Sequence, residues 1–240
     1  SAILVLCTAD IVDSGIRMHA GAKRYQRVCM LRTIGINAQI AHDSDPYYDV
    51  QNILVEQNLI VSTHASGDEC HWTGVSCVRF LVGMEYHPLS CPRGSLPILS
   101  TLDWLPPTLE KLWLSDVHIW RKTFRAALLP RSLEKCCIDS CGLVGELHFD
   151  RLPPILHTLS LYQNRLSGTL MICRVPSTLV SAQLERNLIT RVVVDNSCLP
   201  DCLQHIRLFK PSKSFFASAI TVETVDNSPV DARIRIRTRE

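Results

Sequence analysis

The sequence predicts a solenoid whose short strands stack in register into one curved parallel β-sheet. Three observations carry that prediction. Leucine–proline or valine–proline pairs begin at Leu105, Leu129, Leu152, Val175 and Leu199, at intervals of 24, 23, 23 and 24 residues. Behind each pair the same apolar frame returns: Leu109, Leu112 and Leu114; Leu133, Cys136 and Ile138; Leu156, Leu159 and Leu161; Leu179, Ala182 and Leu184; Leu203, Ile206 and Leu208. Prolines recur on the return path, where they disfavour a helix and keep the chain extended.

The frame has a mechanical meaning. Alternate residues of a strand share a face, so the second and third apolar positions point inward together, and the first packs inward from the incoming turn. Three residues past the strand core stand Asn164 and Asn187. A side-chain amide there can bond backbone groups of the turn that would otherwise meet apolar surroundings. Cys141 holds the same place one repeat earlier, while Val117 and Pro211 break the polar ladder at both ends. "LVGEL" (143–147) and "LSGTL" (166–170) then set a glycine between apolar residues, which permits a tight or bulged backbone. One repeat cannot bury its apolar face alone, so neighbouring coils supply the core. A period of ~20–29 residues is that of leucine-rich repeats. The fold class that follows is an α/β-class leucine-rich repeat solenoid, with a parallel sheet on the concave face and a mostly extended, irregular convex side.

Both ends have their own signals. "DPYYDVQNILVEQNLIV" reads as a helix, with Asp45 as cap, Pro46 in the first position, and Val50, Ile53, Leu54 and Ile60 along one apolar face. After it Val78, Phe80 and Val82 alternate as a first strand, and 88–104 is a longer, irregular first coil. At the other end "SAITVETV" (218–225) and "ARIRIRTR" (232–239) alternate about the turn residues "DNSP", which predicts a β-hairpin closing the open end of the solenoid. The organisation expected is a basic N-terminal extension (1–44), a helical cap (45–77), the repeats (78–211) and a β-hairpin cap (212–240).

Composition narrows the function. The chain has 240 residues, 46% of them hydrophobic, and a formal net charge of +2, so no global charge points to a polyanion. No uncharged apolar run approaches the ~18 residues of a membrane helix. "AILVL" near the start is too short, and lacks a basic leader, for a complete secretory signal. A start at Ser1 is consistent with a processed or an incomplete chain. Between Ser14 and His42 stand Arg17, Lys23, Arg24, Arg27 and Arg32 and no acidic residue, as in a solvated basic extension or, alternatively, a mitochondrial presequence.

Catalytic and metal signatures are weak. The G-x-S-x-G, H-E-x-x-H and glycine-rich phosphate-loop patterns do not occur. Cys198, Cys202 and His205, with Cys173 as fourth ligand, fit no standard zinc spacing, and a structural role at a repeat junction is expected instead. The 11 cysteines are odd in number, so at least one is unpaired within the chain. The expectation is no enzyme, no cofactor and no metal.

The residues between the inward leucines face the concave side. One column is Trp113, Cys137, Ser160, Gln183 and Arg207; beside it run Ser115, Asp139, Tyr162, Glu185 and Phe209, and Lys111 heads a flanking column. Trp, Tyr and Arg are enriched at binding hot spots. The expected partner-binding set is therefore Lys111, Trp113, Asp139, Tyr162, Gln183, Glu185, Arg207 and Phe209. In "ARIRIRTR", alternation sets Ile234 and Ile236 on one face and a basic stripe of Arg233, Arg235, Arg237 and Arg239 on the other. Such a stripe protects a sheet edge, or meets an acidic surface or a phosphate backbone.

A resemblance adds to this. In "CHWTGVSC" the residues Cys70, Trp72, Gly74, Val75 and Cys77 match C-x-W-x-G-V-x-C, the N-terminal cap of extracellular-type leucine-rich repeat proteins of plant receptors and protozoan surface antigens, and 45–211 resemble that family in wording. The resemblance implies a Cys70–Cys77 disulfide, an arc of stacked strands, recognition rather than catalysis, and a surface or extracellular location. Against it stand the basic N-terminal stretch, which suits a mitochondrion or other organelle, and the absence of a recognisable C-terminal cysteine cap. The function expected is a non-catalytic scaffold for protein–protein interaction, an accessory subunit of a larger assembly. The alternative is an RNA-contacting structural protein of an organellar ribonucleoprotein such as a mitochondrial ribosome. No small-molecule substrate is expected.

Overall fold

The computed structural model describes residues 75–77, 81–86, 99–210 and 220–238, together with Cys29 and Thr33. Its strands, in chain order, are β1 (Val75–Cys77), β2 (Leu81–Tyr86), β3 (Lys111–Ser115), β4 (Lys135–Asp139), β5 (Val144–Gly145), β6 (Thr158–Ser160), β7 (Arg165–Ile172), β8 (Ser181–Gln183), β9 (Leu188–Val194), β10 (His205–Lys210), β11 (Thr221–Thr224) and β12 (Ile234–Thr238). They form two sheets. An eight-stranded sheet runs β1-β2-β3-β4-β6-β8-β10-β12, and a four-stranded sheet runs β11-β9-β7-β5. Apart from the antiparallel pair β1/β2, every pairing is parallel.

Each coil is built by the same local chemistry. The apolar frame puts Leu112, Cys136, Leu159, Ala182 and Ile206 in register across the first sheet, all fully buried. The chain then turns on a non-glycine residue with positive φ: Asp116, Ser140, Gln163 and Arg186, at 59°, 56°, 56° and 58°. A left-handed backbone costs energy at a residue with a Cβ, so the hydrogen bonds around it must hold it. Asn164 supplies them. Its Oδ1 accepts from the Cys141 and Leu143 amides at 3.2 and 3.0 Å, and its Nδ2 donates to the Ile138 carbonyl at 2.6 Å. Asn187 repeats this one coil later, accepting from Leu166 and donating to Leu161 and Leu184. In the coil before, the Cys141 thiol donates to the Asp139 carbonyl at 3.2 Å.

The return path is tied twice. Leu129, Leu152 and Leu199 each close a short 3-10 turn, donating to Ala126, Phe149 and Asn196. Four residues after each of Leu105, Leu129, Leu152, Val175 and Leu199, a leucine amide then donates to the proline carbonyl, from Leu109 to Pro106 through Leu203 to Pro200. The prolines thus make the turn into each first-sheet strand, as their fixed φ favours. Between the sheets lies one core running from Met84 to Ile234.

Several expectations are corrected. The convex side is not irregular: it is the second parallel sheet, so the chain is a parallel β-solenoid and not an α/β-class leucine-rich repeat arc with one sheet. The C-terminal strands do not pair with each other. β11 lies parallel to β9 in one sheet and β12 parallel to β10 in the other, so 220–238 add a further coil where a hairpin cap was expected. The turn residues Asp226–Pro229 cross between the sheets instead of joining neighbours. Helix is nearly absent among the described residues, which hold only 3-10 turns and the helical Cys29 and Thr33. These two lie in the stretch read as an extension, yet both are buried, and the Thr33 carbonyl accepts from the Ser100 and Thr101 amides. The helix expected from Asp45 lies outside the described residues. Of the first strand expected at Val78, Phe80 and Val82, Val82 lies in β2, whose Met84 sits beside Leu112, while Val78 and Phe80 lie outside the described residues. No disulfide occurs among the described residues. Cys136, Cys137, Cys141, Cys173, Cys198 and Cys202 are free thiols, and the Cys70–Cys77 pair has Cys70 outside the described residues.

Candidate partner-binding face

The outer face of the eight-stranded sheet is assembled by register. Lys111, Lys135, Thr158, Ser181 and His205 form one row across β3, β4, β6, β8 and β10. Trp113, Cys137, Ser160, Gln183, Arg207 and Arg235 form the next, which β12 extends. Asp139, Tyr162 and Glu185 stand one alternation further on. The structure therefore brings Lys111, Trp113, Asp139, Tyr162, Gln183, Glu185 and Arg207 onto one surface. Phe209 is in β10 opposite Arg237, its side chain outside the described residues.

The face differs from end to end. At the β3 end Lys111 and Lys135 are exposed, and Trp113 leaves 53% of its surface open. The middle is small, polar and internally bonded. Asp139 accepts from the Ser160 hydroxyl at 2.6 Å and the Tyr162 amide at 2.9 Å, while burial, the largest influence, raises its carboxyl pKa. Asp139 is thus engaged within the sheet, and Ser160 is buried against it. Tyr162 carries the Arg186 guanidinium over its ring at 5.5 Å, a cation–π contact.

At the β10 end the polar groups are unmet. Among the described residues, Glu185 Oε2, His205 Nε2 and Arg207 Nε are enclosed without a hydrogen-bond partner. Enclosure lowers the His205 pKa first, and the Arg207 and Arg235 charges push it further down. The expected arginine stripe is uneven. Arg233 is held by Asp231 through two hydrogen bonds of 2.9 and 2.8 Å and donates to the Pro200 carbonyl, so it serves the last turn. The same bonds hold the Asp231 carboxyl down at about 2. Arg235 is exposed beside Arg207. Arg237 is aligned with Phe209 by its backbone, and Arg239 lies outside the described residues.

The thiols are placed for structure. Burial pushes the Cys137 thiol up to about 11 and Cys141 up to about 12, and Cys136 higher still. Thiols so raised are not thiolate nucleophiles at neutral pH. Cys198 donates to Asp195 at 3.1 Å and Cys202 to the Ser177 and Leu179 carbonyls at 3.2 and 3.4 Å. No group of three or more His, Cys, Asp or Glu residues is set to hold a metal among the described residues. Nor is any helix among them long and apolar enough to cross a membrane.

No family model matches the chain, and no curated protein matches it. Among solved structures it overlaps with the crystal structure of a plant ice-binding protein, at a TM-score of 0.36 and 15% identity, over 74% of this chain and 70% of that one. Overlap of this quality says nothing about what this chain binds.

Proposed function

We propose that the chain is a non-catalytic scaffold that holds a protein partner on the outer face of its eight-stranded sheet. The observation that carries this is the register: Trp113, Gln183 and Arg207 fall in one row across five parallel strands, with Trp113 half-open to solvent at its start. A tryptophan on a rigid sheet supplies contact area at small ordering cost, and arginines supply directional hydrogen bonds beside it, a combination enriched where interfaces are anchored. The raised thiols and the Ser160–Asp139 pair, which lacks a histidine between its members, favour recognition over catalysis. The RNA-contacting alternative leans on the C-terminal arginines, and Arg233 is already spent on Asp231, which leaves that reading the weaker.

A photo-crosslinking residue in place of Trp113, expressed in the native host, tests the proposal. Crosslinks to one protein are expected, and Trp113→Ala weakens that association about tenfold, near 1.4 kcal/mol, while stability stays within ~1 kcal/mol. Crosslinks to nucleotides, or a Trp113→Ala protein that unfolds, would reject it.

A further inference from the structure

The β10 end of the face has a chemistry of its own. Three enclosed polar atoms, Arg207 Nε, His205 Nε2 and Glu185 Oε2, lack hydrogen-bond partners among the described residues. Leaving such groups unmet costs free energy, and a native sheet normally pairs them. They are neighbours. His205 and Arg207 alternate on one strand, Arg235 is aligned with Arg207 on the next, and Gln183, aligned with Arg207, is two residues from Glu185. Diagonal neighbours on a sheet stand ~7–8 Å apart. No ion pair joins Glu185 to Arg207 among the described residues, although their charges invite one.

We propose that His205, Arg207 and Arg235 form a seat for a carboxylate side chain on an acidic segment of the protein partner, with Glu185 accepting a backbone N–H of that segment. The proposal rests on the reading of this face as a docking surface and names what docks at one end of it. A carboxylate supplies the acceptor that the Arg207 guanidinium lacks and is bound bidentately by its planar fork. Arg235, exposed on the edge strand, adds a second guanidinium in register, and Arg233 adds none because Asp231 already occupies it. Glu185 decides between acidic partners. A nucleic-acid backbone repeats negative charge at every step and would press phosphates against this carboxylate. A peptide carries backbone N–H donors beside its carboxylates, and can pair with the Glu185 carboxylate and the Arg207 guanidinium at once. Enclosure first, and then the Arg207 and Arg235 charges, lower the His205 pKa, and an incoming carboxylate would offset those charges.

The test uses the full chain and a fluorescein-labelled peptide of about ten glutamates, followed by anisotropy, with the equivalent glutamine peptide as control. The wild type binds the glutamate peptide and not the glutamine one. Arg207→Gln with Arg235→Gln lowers the affinity at least about tenfold. Arg207→Lys, which keeps the charge and loses the fork, gives an intermediate loss. Arg121→Gln with Arg165→Gln, exposed arginines away from this row, leaves it within about twofold. Arg235→Gln alone, on an exposed edge position, reads the same seat if the Arg207 variant fails to fold. Equal losses from both arginine pairs, no binding of the glutamate peptide by the wild type, or tighter binding of oligouridine at the same site would each overturn the proposal. If Trp113 crosslinks a protein partner while the glutamate peptide does not bind, only the acidic seat fails; if Trp113 crosslinks no protein, the docking face itself fails.

Discussion

The two sheets of the solenoid are built from the same chain in the same coils, yet their strands differ in regularity. In the first sheet β3, β4, β6, β8 and β10 pair in one continuous register, each with its inward residues two apart. In the second sheet the strands lengthen from two residues in β5 to eight in β7 and seven in β9, and the β7/β9 register shifts between Gly168 and Thr169. There Leu170 lies opposite Val192 and Ile172 opposite Val194, but Gly168 lies opposite Ile189, so β9 carries one extra residue. A bulge of this kind interrupts the alternation and bends the strand. The lesson is that the first sheet keeps its register from coil to coil, and in the 24-residue coil from Val175 to Leu199 the second sheet takes up the extra residue at the β9 bulge.

The largest effect tests whether the two sheets share one core. Leu159, in β6, and Leu170, in β7, are both enclosed, at 0% and 1% exposure. Truncating an enclosed leucine costs ~2–5 kcal/mol through lost transfer energy and the cavity left behind. Leu159→Ala and Leu170→Ala are therefore expected to fall in the same range by chemical denaturation, with one unfolding transition each. A cost below ~0.5 kcal/mol for Leu170→Ala would mean that the second sheet is a loosely attached return.

A smaller effect lies at the turn that joins the sheets. Asn164 satisfies two amides and the Ile138 carbonyl, all enclosed between coils. Asn164→Ala strands these groups, at ~1–3 kcal/mol for each that water does not reach, for a net expectation of about 2–3 kcal/mol. Asn187→Ala is expected to cost less, because Asn187 is only half-buried and its Oδ1 accepts from one amide where that of Asn164 accepts from two. Equal costs at the two sites would show that exposure does not grade the ladder.

How much of this was legible follows from the same contrast. The first-sheet strands could be read because apolar residues mark both inward positions in every coil, and the asparagine slot because a buried amide leaves a residue type as its trace. The second sheet left weaker marks. In "RLSGTLMI" Leu166, Leu170 and Ile172 alternate only if Gly168 is counted among them, and a glycine reads as a break before it reads as a strand residue. In "LITRVVV" the extra residue hides the period, though the run of β-branched side chains was a signal for strand. The C-terminal pair misleads for another reason: two alternating segments about "DNSP" are what a hairpin looks like, and only the edges of both sheets decide that each strand pairs elsewhere. On the face, residue types located the row, but the unmet atoms of Glu185, His205 and Arg207 have no counterpart in a sequence pattern.

The smallest effect concerns a second ladder, on the return turn between the sheets. The residue three places after each leucine or valine of the proline pairs is Thr108, Ser132, Ile155, Thr178 and Cys202. Ser132 donates to the Pro107 and Leu109 carbonyls at 2.6 and 2.8 Å, Thr178 to Pro154 and Leu156 at 3.3 and 2.9 Å, and Cys202 to Ser177 and Leu179. Each donor thus reaches the two carbonyls that flank its equivalent one coil earlier. Ile155 interrupts the series with a side chain 40% exposed. Ile155→Thr keeps the branched Cβ and places a hydroxyl toward the Arg131 and Leu133 carbonyls. A neutral hydrogen bond contributes ~0.5–1.5 kcal/mol net, and the lost contact of a half-exposed isoleucine offsets part of it. The expected outcome is a rise in melting temperature of about 1–3 °C, measured by calorimetry against Ile155→Val, which keeps the branch and adds no donor. If the threonine variant melts at or below the valine one, the carbonyls at this coil are not in reach, and the return turns differ from coil to coil as the second sheet does.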